Sequence, residues 1–171
     1  ILLVIFSLTN SLSAKNKYFW SAGKSPQTIG KKVIDDFFTR NYWIVNNKDY
    51  HTIHYAEACA GFGIARFAGL LRDTVTIKKL SARYLVTDSI PLIGGHVDGN
   101  VYGILPLELY KQTGNEIFKE QGLKLADHQW ENPLENGLTN QTRFWIDDIW
   151  MIGSLQTQAY RITGNPIYME R

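Results

Sequence analysis

Three aspartates in two short motifs are the residues of this chain best suited to chemistry. Asp98 lies in residues 96–100 (HVDGN), directly after a Gly-Gly break, and Asp147 and Asp148 lie in residues 143–150 (RFWIDDIW). Carboxylates are costly among apolar residues unless they are paired or used. Successive residues of a helix point about 100° apart. We therefore expect one aspartate of the pair to face a cavity while the other bonds backbone or a neighbouring helix.

Helix capping is the alternative explanation for all three carboxylates. An Asp before a helix is an ordinary N-cap, which is the simple interpretation of Asp98, and Asp147 and Asp148 would both suit the positive end of a helix dipole. The repetition favours function, because two predicted helix starts each place an Asp beside aromatic or His residues after a long loop. Two carboxylates on neighbouring helix ends could flank a sugar. Carboxylates that share one cavity would support catalysis, whereas distant solvent-facing caps would not.

Other chemistries find little support in the sequence. His51 and His54 are three residues apart with Cys59 further along, but neither a His-Glu-x-x-His helix motif nor a Cys-x-x-Cys pair is present. The glycines at 94–103 do not fit a dinucleotide or phosphate loop, and there is no Gly-x-Ser-x-Gly nucleophile motif. We predict no metal and no organic cofactor.

Composition and the start of the chain indicate an exported globular protein. The 171 residues are 44% hydrophobic and 20% charged, with a net charge of +2 and no basic run that would bind nucleic acid. The apolar stretch at residues 1–14 (ILLVIFSLTNSLSA) ends in small residues, which is typical of the tail of a secretory signal peptide, and it is too short to span a bilayer. A buried core helix is the alternative. We predict a periplasmic or extracellular bacterial protein.

The remainder of the chain predicts an all-α fold. Apolar residues recur at helical spacing between short Gly, Asn, Asp and Pro breaks, and no convincing strand pattern is present. Pro106 should kink its helix or mark the first turn. Long irregular connections alternate with short turns, as expected of stacked helical hairpins. The predicted helices cover about residues 25–41, 54–71, 73–86, 115–130 and 143–162, with a further one around 104–110.

Three stretches resemble a known enzyme group. Residues 54–57 (HYAE), 97–108 (VDGNVYGILPLE) and 143–151 (RFWIDDIWM) are similar to unsaturated rhamnogalacturonyl hydrolases and related unsaturated uronyl hydrolases, glycoside hydrolase families 105 and 88. The resemblance runs from about Ser25 to the end of the chain. It implies that residues 15–171 are the N-terminal part of a single catalytic domain, the first half of an (α/α)6 toroid of helical hairpins.

The resemblance also implies a reaction and a set of roles. Members remove a Δ4,5-unsaturated uronic acid from the non-reducing end of lyase-generated oligosaccharides of pectin or rhamnogalacturonan type. An acid protonates the vinyl ether at C4, water adds at C5, and the hemiketal opens. The residues it assigns are Asp147 as general acid and base, Asp98 as the partner that positions water or a ring hydroxyl, Tyr55 and Trp145 as pocket-lining aromatics, and His96 and Arg143 as further substrate contacts.

Some alternatives stay open at the level of sequence. Arg143 can pair with the uronate carboxylate or merely with Asp147 or Asp148. The same two aspartates would also serve an ordinary glycosidase built on an (α/α) barrel. A helical glycan-binding protein without catalysis, in which the carboxylates are only caps, is the third possibility.

Overall fold

A computed structural model describes residues 19–41, 43–46, 51–85 and 96–171, and it is mostly helical, as predicted. The predicted signal peptide, Ile1 to Ala14, lies outside the described residues. The chain divides after Phe37 into two compact units. The described helices are α1 (Pro26–Thr39), α2 (Tyr55–Leu71), α3 (Thr74–Leu85), α4 (Val97–Asn100), α5 (Ile104–Thr113), α6 (Glu116–His128), α7 (Ile146–Thr163) and α8 (Ile167–Glu170), with a 3-10 turn at Val101–Gly103.

A small β-hairpin corrects the expectation that the chain has no strands. Strands β1 (Ile44–Asn46) and β2 (His51–Ile53) pair antiparallel with Val45 opposite Thr52. Three residues are too few to show an alternating pattern in the sequence, although both strands contain the β-branched residues that favour extended backbone. The hairpin reaches α4, because Thr52 Oγ1 donates a 3.4 Å hydrogen bond to the carbonyl of Gly99.

The second unit is built on closely packed helices. A Cβ at Gly61 of α2 would lie 2.7 Å from a Leu105 methyl on α5, and one at Gly122 of α6 would lie 2.4 Å from Leu107 Cγ. At both positions a larger residue would force the facing leucine to shift, so glycine permits the close approach of the helices. The side chains of Leu105, Leu107 and Phe118 are fully buried in this core.

The helix ends largely follow the predicted signals. Pro106 is the third residue of α5, in the first turn, where its missing N–H removes no helical hydrogen bond. Gly114 and Gly164 end α5 and α7 in the left-handed conformation, with φ of 71° and 68°. Of the helices described, none combines the length and the apolar character needed to cross a membrane.

Candidate active site

The segment that leads into α7 forms the centre of the candidate site. The sequence predicted that this segment is helical, and that prediction is wrong. The sequence suggested a helix from Arg143, whereas α7 begins at Ile146. Phe144 has a left-handed φ of 62°, which is uncommon for a bulky residue. The carboxylate of Asp148 stabilises this turn, because its Oδ2 accepts the backbone N–H of Arg143 at 2.7 Å and that of Trp145 at 3.2 Å. Asp148 thus reaches back to cap the start of its own helix.

Asp147 and Asp148 have different surroundings, as the 100° offset between successive helical residues predicts. Asp148 is 3% exposed. Burial alone would raise its pKa, but hydrogen bonds from the Arg143 side chain and from the backbone N–H groups of Arg143 and Trp145 lower the pKa below its ordinary value. Asp147 makes no such backbone bonds among the described contacts, and its side chain is 44% exposed. Asp148 is the structural carboxylate, and Asp147 is the accessible one.

The guanidinium of Arg143 joins three carboxylates. Its Nη1 lies 3.2 Å from Asp98 Oδ1, and its Nη2 lies 3.0 Å from Asp147 Oδ2 and 2.6 Å from Asp148 Oδ1. Desolvation opposes the charge, but the hydrogen bond to Asp148 and the charge of Asp98 raise the pKa of Arg143. The two aspartates of the separate sequence motifs therefore meet at one side chain. We call Arg143 with Asp98, Asp147 and Asp148 the arginine cluster.

Asp98 is not the helix cap that the simpler explanation required. It is the second residue of α4, and the cap is His96, whose Nδ1 accepts the Asp98 N–H at 3.2 Å. The same Nδ1 lies 3.8 Å from Asp98 Oδ2. Although Oδ1 of Asp98 is buried close to Arg143, it accepts no hydrogen bond of normal geometry from any described group. The charge of Arg143 stabilises this oxygen, while the Asp98 side chain as a whole remains 21% exposed.

Aromatic side chains border the arginine cluster. Trp145 is 62% exposed, and the guanidinium carbon of Arg143 lies 4.5 Å from the centroid of its ring. A groove of about 690 Å³ opens beside Trp145, within the size range of small-ligand sites. Its other lining residues include Trp130, Leu138, Phe144, Ile149 and Arg171. The cluster is therefore next to a concave, largely apolar surface.

Tyr55 and His54 lie at the start of α2, and His54 is within electrostatic reach of Asp98. Tyr55, the first residue of α2, is 38% exposed, and its ring centroid is 4.4 Å from that of His54. Burial lowers the pKa of His54, while the charge of Asp98 opposes that shift. The described contacts connect Tyr55 to the arginine cluster only through His54, so the two aromatic residues predicted to line one pocket, Tyr55 and Trp145, have different neighbours.

Sequence reasoning missed two residues around the site, Trp43 and Asn100. Trp43 stacks on His54, with centroids 3.8 Å apart and planes within 6°. Asn100 is fully buried two residues beyond Asp98, and neither of its side-chain polar atoms has a hydrogen-bond partner within the described part of the chain. A buried unpaired amide is rare and suggests a bound water. The small-residue spacing of HVDGN hinted at a buried turn, but nothing in the sequence pointed to Trp43.

The described side chains offer no alternative metal chemistry. No group of three or more His, Cys, Asp or Glu residues among them is arranged to hold a metal ion. What the arginine cluster offers is general acid-base chemistry: an accessible carboxylate, Asp147, and a second carboxylate, Asp98, both positioned by one cation. Comparisons of the chain with protein-family models, with curated proteins and with solved structures give no match.

Proposed function

We propose that this protein is an exported hydrolase that removes a Δ4,5-unsaturated uronic acid from the non-reducing end of lyase-generated oligosaccharides. The observation that carries the proposal is the arginine cluster, in which Asp98 and Asp147, from the two motifs that resemble uronyl hydrolases, contact one guanidinium beside an exposed indole. Two unrelated caps would have no reason to converge in this way.

The division between the paired aspartates supports Asp147 as the general acid and base. Asp148 lines the groove beside Trp145, but it is buried and its carboxylate is already engaged by backbone hydrogen bonds at the start of α7 and by Arg143. Asp147 is accessible and is held by Arg143 alone among the described contacts. A group that must first donate and then accept a proton needs both accessibility and fixed position.

The reaction assigns a role to each carboxylate. The protonated Asp147 donates its proton to C4 of the vinyl ether, and positive charge develops at C5. Water then bonds to C5 and returns a proton to the Asp147 carboxylate, which leaves a hemiketal that opens and releases the remaining sugar. Asp98, whose Oδ1 lies 3.2 Å from Arg143, orients that water or a ring hydroxyl through the exposed part of its carboxylate, since its side chain is 21% exposed. His96, which caps α4, positions Asp98.

Charge near the cluster constrains where the uronate carboxylate binds. Arg143 is already shared among three aspartates, so it is a poor partner for a fourth carboxylate. Arg171 lies on the wall of the neighbouring groove, where its guanidinium carbon is 5.8 Å from the Trp130 ring centroid. Arg171 is paired with one carboxylate, Asp127 at 3.2 Å, and is the better candidate to pair with the uronate, while Trp145 contacts the sugar C–H face.

The proposal is tested by incubating the protein with unsaturated disaccharides prepared by polysaccharide lyases. Loss of the ultraviolet absorbance of the conjugated uronate is followed for wild type and for Asp147→Asn. Loss with wild type and none with the variant supports vinyl ether hydration by Asp147. If no pectin-derived or glycosaminoglycan-derived substrate loses absorbance, the assignment fails. Release of reducing sugar from saturated oligosaccharides would then indicate an ordinary glycosidase, and binding without release would indicate a glycan-binding protein.

A further inference from the structure

Trp43, His54 and Tyr55 form a second aromatic surface, which we call the aromatic stack. The Trp43 and His54 rings are parallel at 3.8 Å, and the His54 and Tyr55 rings are tilted by 31° at 4.4 Å. The hairpin fixes this arrangement, because the His54 N–H donates a 2.8 Å hydrogen bond to the Trp43 carbonyl. Trp43 remains 56% exposed although His54 covers one face of its indole. The accessible area therefore belongs to the opposite face and the edges.

The aromatic stack borders the element that carries Asp98. Strand β2, which ends next to His54, contacts α4 through the hydrogen bond from Thr52 to the Gly99 carbonyl. A Cβ added at Gly99 would lie 3.1 Å from the Thr52 methyl, so the two backbones are in close contact. His54 also lies within electrostatic reach of the Asp98 carboxylate. The stack and the groove beside Trp145 thus adjoin the arginine cluster through different elements.

The chemistry of the aromatic stack suits an uncharged ring. Nδ1 of His54 accepts the Ala56 N–H at 3.1 Å, so this nitrogen carries no proton. Burial keeps the imidazole neutral by lowering its pKa. A sugar carboxylate placed here would be repelled by nearby Asp98, whereas a neutral pyranose would meet no such electrostatic repulsion. Because the indole is already held in one orientation, ligand binding costs little side-chain entropy.

We propose that Trp43 forms a subsite for the neutral pyranose that is released in the reaction, with His54 and Tyr55 as the support that fixes its indole. The assignment rests on the proposed function and adds to it a residue that distinguishes substrates by the sugar that is released. Trp43 is a binding residue in this scheme, and it does not take part in proton transfer.

The test compares two substrates that differ only in the released group, the unsaturated galacturonyl-rhamnose disaccharide and the methyl glycoside of the same unsaturated uronate. Trp43→Ala should raise KM about tenfold for the disaccharide with kcat nearly unchanged, and it should leave the methyl glycoside unaffected. Trp43→Phe should recover most of the loss. Tyr160→Ala is the matched control, because Tyr160 is 40% exposed and lies about 20 Å from Asp147 along α7.

Each outcome decides the assignment. An equal rise in KM for both substrates, or no rise for either, overturns it. If wild type hydrolyses neither substrate, the proposed function is decided by the wider substrate set described above, and the subsite is tested separately by calorimetric binding of the same disaccharide. A dissociation constant raised about tenfold by Trp43→Ala but not by Tyr160→Ala then supports the subsite without catalysis. Absence of binding, or an equal constant in both variants, overturns it.

Discussion

Two arginine-carboxylate clusters of this protein have similar parts and opposite surroundings. In the core, Glu57 Oε1 accepts hydrogen bonds from Arg83 Nη2 at 2.8 Å and from the Tyr84 hydroxyl at 2.8 Å. Glu57 is 7% exposed, and the Arg83 side chain is 11% exposed. In the arginine cluster, by contrast, one cation serves three carboxylates, and Asp147 is 44% exposed.

The difference separates a structural ion pair from a site that can act on a ligand. Burial next to Glu57 raises the pKa of Tyr84, so its hydroxyl stays a donor and the core group is closed to further partners. The arginine cluster has more negative than positive groups and includes an accessible carboxylate, that of Asp147. Buried pairs fix the packing of α2 on α3, whereas incomplete pairing at a surface leaves capacity for substrate.

Asp147→Asn should give the largest effect and mark the arginine cluster as catalytic. We expect kcat to fall by about 10³-fold, since a positioned acid-base group typically contributes that much. The thermal midpoint should hardly change, because Asp147 is partly exposed and an accessible ion pair contributes little stability. Initial rates with the unsaturated disaccharide and a melting curve of the same sample give the two values. Retained activity would assign the proton transfer to another group.

Glu57→Ala should show the reverse pattern. The substitution leaves the Arg83 charge and the Tyr84 hydroxyl buried without their shared acceptor, so we expect a loss of about 3 kcal/mol in unfolding free energy. The kcat of the protein that remains folded should be unchanged. Glu116→Ala is the control, because the Glu116 to Lys119 pair has the same type of contact at 3.1 Å but is exposed. It should cost well under about 1 kcal/mol. Similar losses in both variants would contradict the distinction between buried and exposed pairs.

The sequence predicted most of the helical architecture because the signals are local. The helical spacing of apolar residues, the first-turn Pro106 and the glycine break at Gly164 all mark elements within a few residues of where they lie. The hairpin was missed since its strands have three residues each. Trp43 was missed for the same reason, because its position depends on cross-strand pairing with His54.

The site was predictable only where it depends on local helix geometry. The helical offset separated Asp147 from Asp148, and the structure shows which is buried. The start of α7 was placed three residues early because Arg143 to Trp145 look helical by composition. Their backbone N–H groups bond instead to the Asp148 side chain, a contact that depends on the left-handed turn at Phe144. The convergence of Asp98 and Asp147 on Arg143 is a tertiary fact that spacing along the chain does not encode.

Asp148→Asn should reveal the structural member of the arginine cluster through the pH dependence of stability. The folded-state pKa of Asp148 is lowered, so its ionised form stabilises the fold above its unfolded pKa of about 4, and this contribution is lost as the pH falls through the folded value. We expect the variant to be less stable by about 2 kcal/mol near neutrality.

The measurement is the unfolding free energy of wild type and Asp148→Asn from denaturant titrations between about pH 2 and pH 7. The two curves should converge at the acid end, where wild type also carries a neutral carboxyl group. A constant difference across the pH range would mean that the stabilisation by Asp148 does not depend on the charge of its carboxylate.

Arg143→Lys should give the smallest effect and decide what the arginine does. A lysine keeps the charge but loses the fork that contacts Asp98 through one nitrogen and Asp147 through another. If Arg143 orients the carboxylates, kcat should fall about tenfold while KM changes little. A rise in KM with kcat unchanged would instead show that Arg143 binds the uronate. That result would move the substrate from the groove beside Trp145 and Arg171 onto the guanidinium, and the arginine cluster would then resemble a binding site more than a positioned pair of acids.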